Sequence, residues 1–175
     1  MEQGLILVHS RYGAARKYAD WLKEKTGFSV LEAKQVKEEQ LSRYAILLLL
    51  GGVYASGIGG IGVLRKHWKL LQNKKLAVFA VGASPYEEEN LTLLKQRNLC
   101  PPMEEVPCFY GRGIWDLSVM SLVDRTLCKM LQKSAAKKPV NQCQTWELAL
   151  REAGDRRVDW THPDYLEPVL EWLEA

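Results

Sequence analysis

Apolar positions along the chain follow two periods in alternation. Gly4-Leu5-Ile6-Leu7-Val8 is apolar without interruption, which suits a strand covered on both faces, as in a parallel sheet. After the break at His9–Gly13, the residues Ala15, Tyr18, Ala19 and Leu22 recur at i, i+3, i+4 and i+7. That spacing predicts a helix with one buried stripe, and Gly27 is placed to stop it. The grammar then repeats. Phe28–Leu31 predicts a second strand, Lys37–Leu41 a short helix and Tyr44–Leu50 a third strand. The glycine-rich stretch Gly51–Gly62 leads into a helix over Val63–Leu71. Leu76–Val81 follows as a fourth strand, and the acids Glu87-Glu88-Glu89 favour the start of another helix. Val106–Tyr110 predicts a fifth strand, Asp116–Lys133 a long helix and Asp164–Glu174 a closing helix, with Lys133–Gln144 as a polar, partly basic connector. Strands alternating with helices define an α/β fold built on a parallel sheet. Right-handed crossovers put helices on both faces. Five strands are too few for an eight-stranded barrel, and with no linker in view, residues 1–175 are expected to form one doubly wound domain.

Composition narrows the function classes. Among 175 residues, 47% are hydrophobic and the net charge is only +3, so disorder is excluded as the main state. The same small charge gives no support for nucleic acid as a partner, which requires a clustered basic face. The longest apolar run, near Ala45–Gly52, falls far short of the ~20 residues of a membrane-spanning helix. The N-terminus carries an acid and no basic cluster, unlike a secretory leader. Cys100, Cys108, Cys128 and Cys143 form no CxxC pair and no zinc-spaced group with His9, His67 or His162. They are expected to be reduced thiols in a cytoplasmic protein, and no metal site is expected.

In open α/β sheets, ligands bind outside the carboxyl ends of the strands. The loops to inspect are therefore those after strands one, three, four and five. Ser10-Arg11-Tyr12-Gly13-Ala14-Ala15 joins the first strand to the first helix, where unpaired N–H groups at a helix start suit a phosphate. Ser10 adds a hydroxyl, Arg11 a charge, and Gly13 allows close backbone approach. The same segment also reads as an ordinary strand-to-helix turn. Gly57-Ile58-Gly59-Gly60-Ile61-Gly62 fits G-x-G-x-x-G. However, Val53-Tyr54-Ala55-Ser56 separates it from the strand, and Val78–Val81, about twenty residues on, offers no acid for a ribose. A nicotinamide-dependent reductase is thus a minor alternative, and the segment is better read as a flexible wall, with Tyr54 free to lie against a flat ring or to stand exposed. The stretch from Trp115 to Leu131 is apolar over a wide arc, followed by Lys133, Lys137 and Lys138. It reads first as a core helix with a solvated basic end. The alternative is a greasy surface over residues 115–138 with basic edges, suited to a quinone, a membrane surface or a protein partner. There is no G-x-S-x-G elbow and no H-E-x-x-H, so catalytic side chains are not assigned and a cofactor would carry any reaction.

The loops together resemble a known family. Leu5–Val8 followed by Ser10-Arg11-Tyr12-Gly13-Ala14-Ala15-Arg16 is similar to the flavodoxin phosphate loop in its S-x-Y-G-x-T form, typical of the branch containing the menaquinone-dependent protoporphyrinogen oxidase. Leu50-Gly51-Gly52-Val53-Tyr54 and Phe79-Ala80-Val81-Gly82-Ala83-Ser84-Pro85 resemble the second and third flavin loops of that branch. Tyr110-Gly111-Arg112-Gly113, Trp115-Asp116 and Leu122-Val123-Asp124-Arg125 resemble its fifth strand and following insertion. The resemblance implies a flavodoxin-like sandwich with a five-stranded sheet in the order 2-1-3-4-5, and FMN as cofactor. It places the phosphate on Ser10, Arg11, Tyr12, Gly13, Ala14 and Ala15. The flavin ring would lie between Gly52, Val53, Tyr54, Ala55, Ser56 and Gly57 on one side and Gly82, Ala83, Ser84 and Pro85 on the other. It further implies an oxidoreductase or electron-transfer role with a redox partner, or with a quinone or porphyrin-like substrate. One departure matters: the family usually carries a hydroxyl at Ala15 and often one at Ala14. A lost charge-assisted hydrogen bond costs about 1.5–3 kcal/mol, with Arg11 or Arg16 available to compensate. A flavodoxin fold that has lost its flavin and serves as a binding module is the alternative this departure raises.

Overall fold

The structure, a computed structural model, describes residues 2–175. In chain order the elements are β1 (Glu2–His9), α1 (Ala14–Thr26), β2 (Ser29–Glu32), α2 (Glu38–Arg43), β3 (Tyr44–Tyr54), β4 (Gly57–Ile58), α3 (Ile61–Lys66), α4 (Trp68–Leu71) and β5 (Lys75–Gly82). They continue with α5 (Glu88–Asn98), β6 (Cys108–Arg112), β7 (Ile114–Trp115), α6 (Leu122–Lys137), α7 (Thr145–Ala153), β8 (Val158–Asp159) and α8 (Glu167–Glu174). The main sheet runs β2-β1-β3-β5-β6 with every neighbouring pair parallel. Counted among the parallel strands alone, this is the expected order 2-1-3-4-5. The short β4 is an addition, folded back antiparallel on the end of β3.

Burial explains the uninterrupted apolar runs. Leu5, Leu7, Leu47, Leu49 and Val78 point to one face, where they pack with Leu41, Leu64 and Leu71 from α2, α3 and α4. Ile6, Val8, Leu48, Leu50 and Phe79 point to the other, against Tyr18, Ala19 and Leu22 of α1 and Val169 of α8. Side chains alternate along a strand, so a strand buried on both faces must be apolar at every position. A small third cluster joins Trp115 and Leu117 to Leu150 and Ala153 of α7.

The region after β6 departs from the expected long helix over Asp116–Lys133. Trp115 lies in β7, which pairs with β8. Asp116 then turns back to accept hydrogen bonds from the Ser118 amide at 3.0 Å and its hydroxyl at 2.5 Å, a local arrangement that competes with helix. The helix starts only where the Ser121 hydroxyl caps the Asp124 N–H at 3.1 Å. It then runs on into the expected connector, to Lys137, with Pro139 just beyond its end. The rest of that connector gives way at Gln144 to α7, whose Trp146, Ala149, Leu150 and Ala153 carry the same i, i+3, i+4, i+7 signal as α1. The glycine stretch is less loop-like than expected: β3 extends through Tyr54, and the helix after it is two short ones.

The glycines 51 and 59 are needed for close approach, because a Cβ on Gly51 would stand 2.2 Å from the Gly59 carbonyl oxygen. Gly51→Ala is expected to destabilise the fold by about 1–3 kcal/mol through overpacking against backbone. Gly62 lies inside α3, and a methyl group added there would meet nothing within 4 Å. Gly62→Ala should therefore stabilise the protein by about 0.5–1 kcal/mol. Urea unfolding of the two variants would show midpoints moving in opposite directions.

Candidate functional site

The loops after β1, β3 and β5 converge at the carboxyl edge of the sheet, and α6 lies across them. Between them is a cavity of about 670 Å³ lined by Ser10, Arg11, Tyr12, Ala14, Ala15, Gly52, Val53, Tyr54, Ala55, Gly82 and Ala83, and on the far side by Trp115, Met120, Asp124, Leu127, Cys128, Met130, Leu131 and Ser134. A second cavity of about 530 Å³ adjoins it across Val53, Ala55, Gly82, Ala83 and Leu131, and is lined in addition by Ser56, Ser84, Pro85, Arg97, Tyr110 and Trp146. The expected site residues thus come together, with two exceptions. Gly13 and Gly57 line neither cavity, and both act through the backbone. Gly13 holds a left-handed φ of 93° at the start of α1, a conformation costly for other residues. Gly57 pairs with Tyr54 across the β3–β4 hairpin.

The first loop is closed by its own serine: the Ser10 hydroxyl accepts from the Gly13 N–H at 3.0 Å. The N–H groups of Ala14 and Ala15, in the first turn of α1, have no partner among the described residues and lie on the cavity wall. They form the open part of an anion cradle. The cations of the loop itself and of the first turns of α1 are already paired. Arg16 pairs with Glu32 and Lys17 with Asp159 at 2.8 Å. Arg11 reaches Asp124 with Nη1 at 3.3 Å, and Tyr12 donates its hydroxyl to the same carboxylate oxygen. The Tyr12 hydrogen bond, with the Arg11 charge behind it, holds the Asp124 carboxyl below the usual carboxylate range. Both arginines that could replace the missing hydroxyls thus already carry a carboxylate partner.

Tyr54 does not present a bare face for a flat ligand. Its hydroxyl accepts the Arg11 N–H at 2.8 Å, the Arg11 guanidinium lies 4.3 Å from its ring centre, and the Tyr12 ring meets it edge-on at 6.1 Å. Burial raises the Tyr54 phenol against the opposing effect of the Arg11 amide and charge. The chain turns at Ala55 and Ser56, both with left-handed φ, 47° and 65°, a geometry normally given to Asn-Gly in a two-residue hairpin. Asn98, buried at the end of α5, pins this turn. Its Oδ1 accepts the Ile58 N–H at 2.8 Å, and its Nδ2 donates to the Ser56 and Leu94 carbonyls, each at 2.9 Å.

α6 overturns the core-helix expectation. It buries only Ala135, while Leu122, Val123, Leu127, Met130 and Leu131 are exposed. Leu127, Met130 and Leu131 form the outer wall of the first cavity, so the wide apolar arc serves the site rather than the core. Cys128 lies on the same wall, its thiol raised by burial and then by the Asp124 charge. Asp124 and Asn98 escaped the sequence reading. Asp124 appeared only inside the string resembling the family insertion, and no spacing signal marks Asn98. All four cysteines are free. Among the described residues no cluster of His, Cys, Asp or Glu could hold a metal, and no helix is long and apolar enough to cross a membrane.

What this geometry defines is a doubly wound α/β protein with its ligand cleft at the topological switch point. The family model described as a flavodoxin domain matches residues 5–141, and the chain belongs to that family. No curated protein matches it. Among solved structures it is similar to a Trp repressor binding protein from Bacillus subtilis, at 14% identity and TM-score 0.47 over 64% of this chain and 84% of that one. It is similar to a flavodoxin from the domain Archaea at 14% identity and TM-score 0.40, over 74% of this chain and 92% of that one. RosB with a bound 8-demethyl-8-formylriboflavin-5'-phosphate intermediate aligns at 11% identity and TM-score 0.42, over 100% of this chain and 88% of that one.

Two outcomes follow from these contacts. Asn98→Leu leaves the Ile58 N–H without its buried acceptor and should cost about 1–3 kcal/mol, read as a lowered unfolding midpoint with faster hydrogen exchange at Ile58. Asp124 should titrate below the ordinary value of about 3.9. Whatever stability its links to Tyr12 and Arg11 contribute is therefore present above that pH and lost as pH falls through the lowered value. The Tyr12 ring resonances, followed from pH 6 to pH 2, would report it.

Proposed function

We propose that this chain binds FMN and works as a flavin-dependent oxidoreductase or electron-transfer protein. The carrying observation is the convergence of the three loops on one apolar cavity with unpartnered amides at one end. Its volume of about 670 Å³ falls in the range of roughly 300–1,000 Å³ found for cofactor sites, and its polar end is the cradle rather than an acidic cluster. The Ala14 and Ala15 amides and the Ser10 hydroxyl would hold the phosphate. Residues 52–57 and 82–85 would flank the ring system, and Leu127, Met130 and Leu131 would exclude water above it. Flavin supplies one- or two-electron transfer when bound, while the protein positions it and tunes it through loop hydrogen bonds. The turn at Ala55–Ser56 is suited to that task, since Asn98 fixes the orientation of its peptides.

The adjoining cavity, with Tyr110, Trp146 and Leu131 on its walls, favours a flat apolar reductant or acceptor of the quinone or porphyrin type. This is the reading closest to the protoporphyrinogen oxidase branch. Leu122 and Val123 lie exposed outside the cavity lining, and with Lys129 and Lys133 further along the same helix they would serve a peripheral membrane contact during such a reaction. Four free thiols accord with a reducing, cytoplasmic setting. A second reading, a flavodoxin fold used as a binding module without flavin, draws on the paired cations around the cradle.

The chain purified without added cofactor, then titrated with FMN, decides between the two. A visible flavin spectrum or saturable quenching of FMN fluorescence supports the first reading. A colourless protein that leaves FMN fluorescence unchanged removes it.

A further inference from the structure

An ordinary phosphate site offers an incoming anion a cation to pair with, and here the cations of the loop and of the first turns of α1 already carry partners. Three cations surround the first turn of α1, namely Arg11, Arg16 and Lys17, and each faces a carboxylate: Asp124, Glu32 and Asp159 respectively. Glu32 and Asp159 lie outside the lining of the main cavity, whereas Asp124 is part of it. Asp124 is also held there by two groups of the cradle loop itself, the Arg11 guanidinium and the Tyr12 hydroxyl. The Tyr12 hydroxyl in turn accepts the Ser121 N–H at 3.3 Å, which fixes the start of α6 over the loop. A negative charge thus lines the same cavity as the unpartnered amides of Ala14 and Ala15, paired with a cation of the cradle loop.

We propose that Asp124 tunes the charge specificity of the cradle: its carboxylate competes with a ligand phosphate for Arg11 and narrows the margin by which the site prefers the phosphorylated over the unphosphorylated end of a flavin, whose ribityl hydroxyls can donate where a phosphate cannot. A dianion seated on the amides shares the cavity with the Asp124 charge and shares the Arg11 guanidinium with it. A neutral polyol meets no repulsion and finds in the carboxylate an acceptor. The consequence for flavins rests on the proposed function above, whereas the competition for Arg11 does not and is measurable with inorganic phosphate alone.

The test compares the wild-type chain with Asp124→Asn, which keeps an acceptor for Tyr12 and removes the charge. Asp124→Ser serves as a second variant of the same sense, and Asp155→Asn makes the same net-charge change at an exposed residue outside both cavities. Inorganic phosphate is titrated while the amide resonances of Ala14 and Ala15 are followed. Removing one unit charge near a dianion should tighten phosphate binding about tenfold in both Asp124 variants and leave Asp155→Asn at the wild-type value. A phosphate affinity in Asp124→Asn and Asp124→Ser no tighter than in the wild type overturns the proposal. So does an equal gain in Asp155→Asn, which would make the effect one of net charge. In parallel, the ratio of FMN to riboflavin affinity should rise about tenfold in Asp124→Asn. A failure of every form to bind either flavin counts against the flavin reading and leaves the phosphate result to decide the role of Asp124.

Discussion

The central strands of this protein have no side of their own that faces water. Leu5–Val8, Leu47–Leu50 and Ala77–Ala80 are fully buried, with alternate residues committed to two separate cores. Their backbone groups are engaged in parallel ladders with the neighbouring strands. Chemistry is therefore confined to the places where the strands stop, and because β1, β3 and β5 stop at nearly the same level, their loops open onto one another. The site is a consequence of the sheet being covered on both faces, before any residue in it is considered.

The second loop shows what it takes to hold such an edge in shape. Left-handed conformations at Ala55 and Ser56 cost roughly 1–2 kcal/mol each for residues with a Cβ, and the hairpin lacks the glycine that would avoid the cost. It keeps the conformation because Asn98 satisfies the Ser56 carbonyl and the Ile58 amide where the chain leaves the turn and because Gly51 and Gly59 pack without side chains between them. Strain retained at a ligand loop and offset by buried hydrogen bonds elsewhere is a common feature of functional sites. Here it aims the backbone between Val53 and Ser56 at the junction of the two cavities.

Much of this was legible beforehand because it depends on local patterns. Continuous apolar runs marked the strands, the i, i+3, i+4, i+7 stripe marked α1, and strand ends marked the loops. The elements that were missed are those for which local pattern and tertiary role diverge. α6 carries the apolar content of a core helix, but its greasy arc faces a cavity, and nothing in Leu127, Met130 or Leu131 distinguishes a wall from a core. Its start was misplaced because Asp116 and Ser118 satisfy each other in a turn, leaving the cap to Ser121. Asn98 and Asp124 were invisible for a related reason: each acts on residues 40 or more positions away, and single-sequence spacing carries no information at that range. Of the glycines in 57–62, which imitate a dinucleotide motif, Gly59 is explained by contact, since a Cβ there would stand 2.3 Å from the His9 ring, and Gly60 by its left-handed φ of 83°.

The loss of hydroxyls at Ala14 and Ala15 is easier to understand once the charges are placed. A helix N-terminus carries a partial positive charge of about half a unit, and Arg11, Arg16 and Lys17 beside it are each offset by a carboxylate. Arg11 is the member of this set that joins separate parts of the site. Its amide binds the Tyr54 hydroxyl, its guanidinium covers the Tyr54 ring, and its Nη1 reaches Asp124. One side chain thus connects the first loop, the hairpin and α6. A ligand that leaves the Arg11 guanidinium alone finds the three already assembled. The cleft is accordingly more preorganised for a ligand's apolar body than for a charged end.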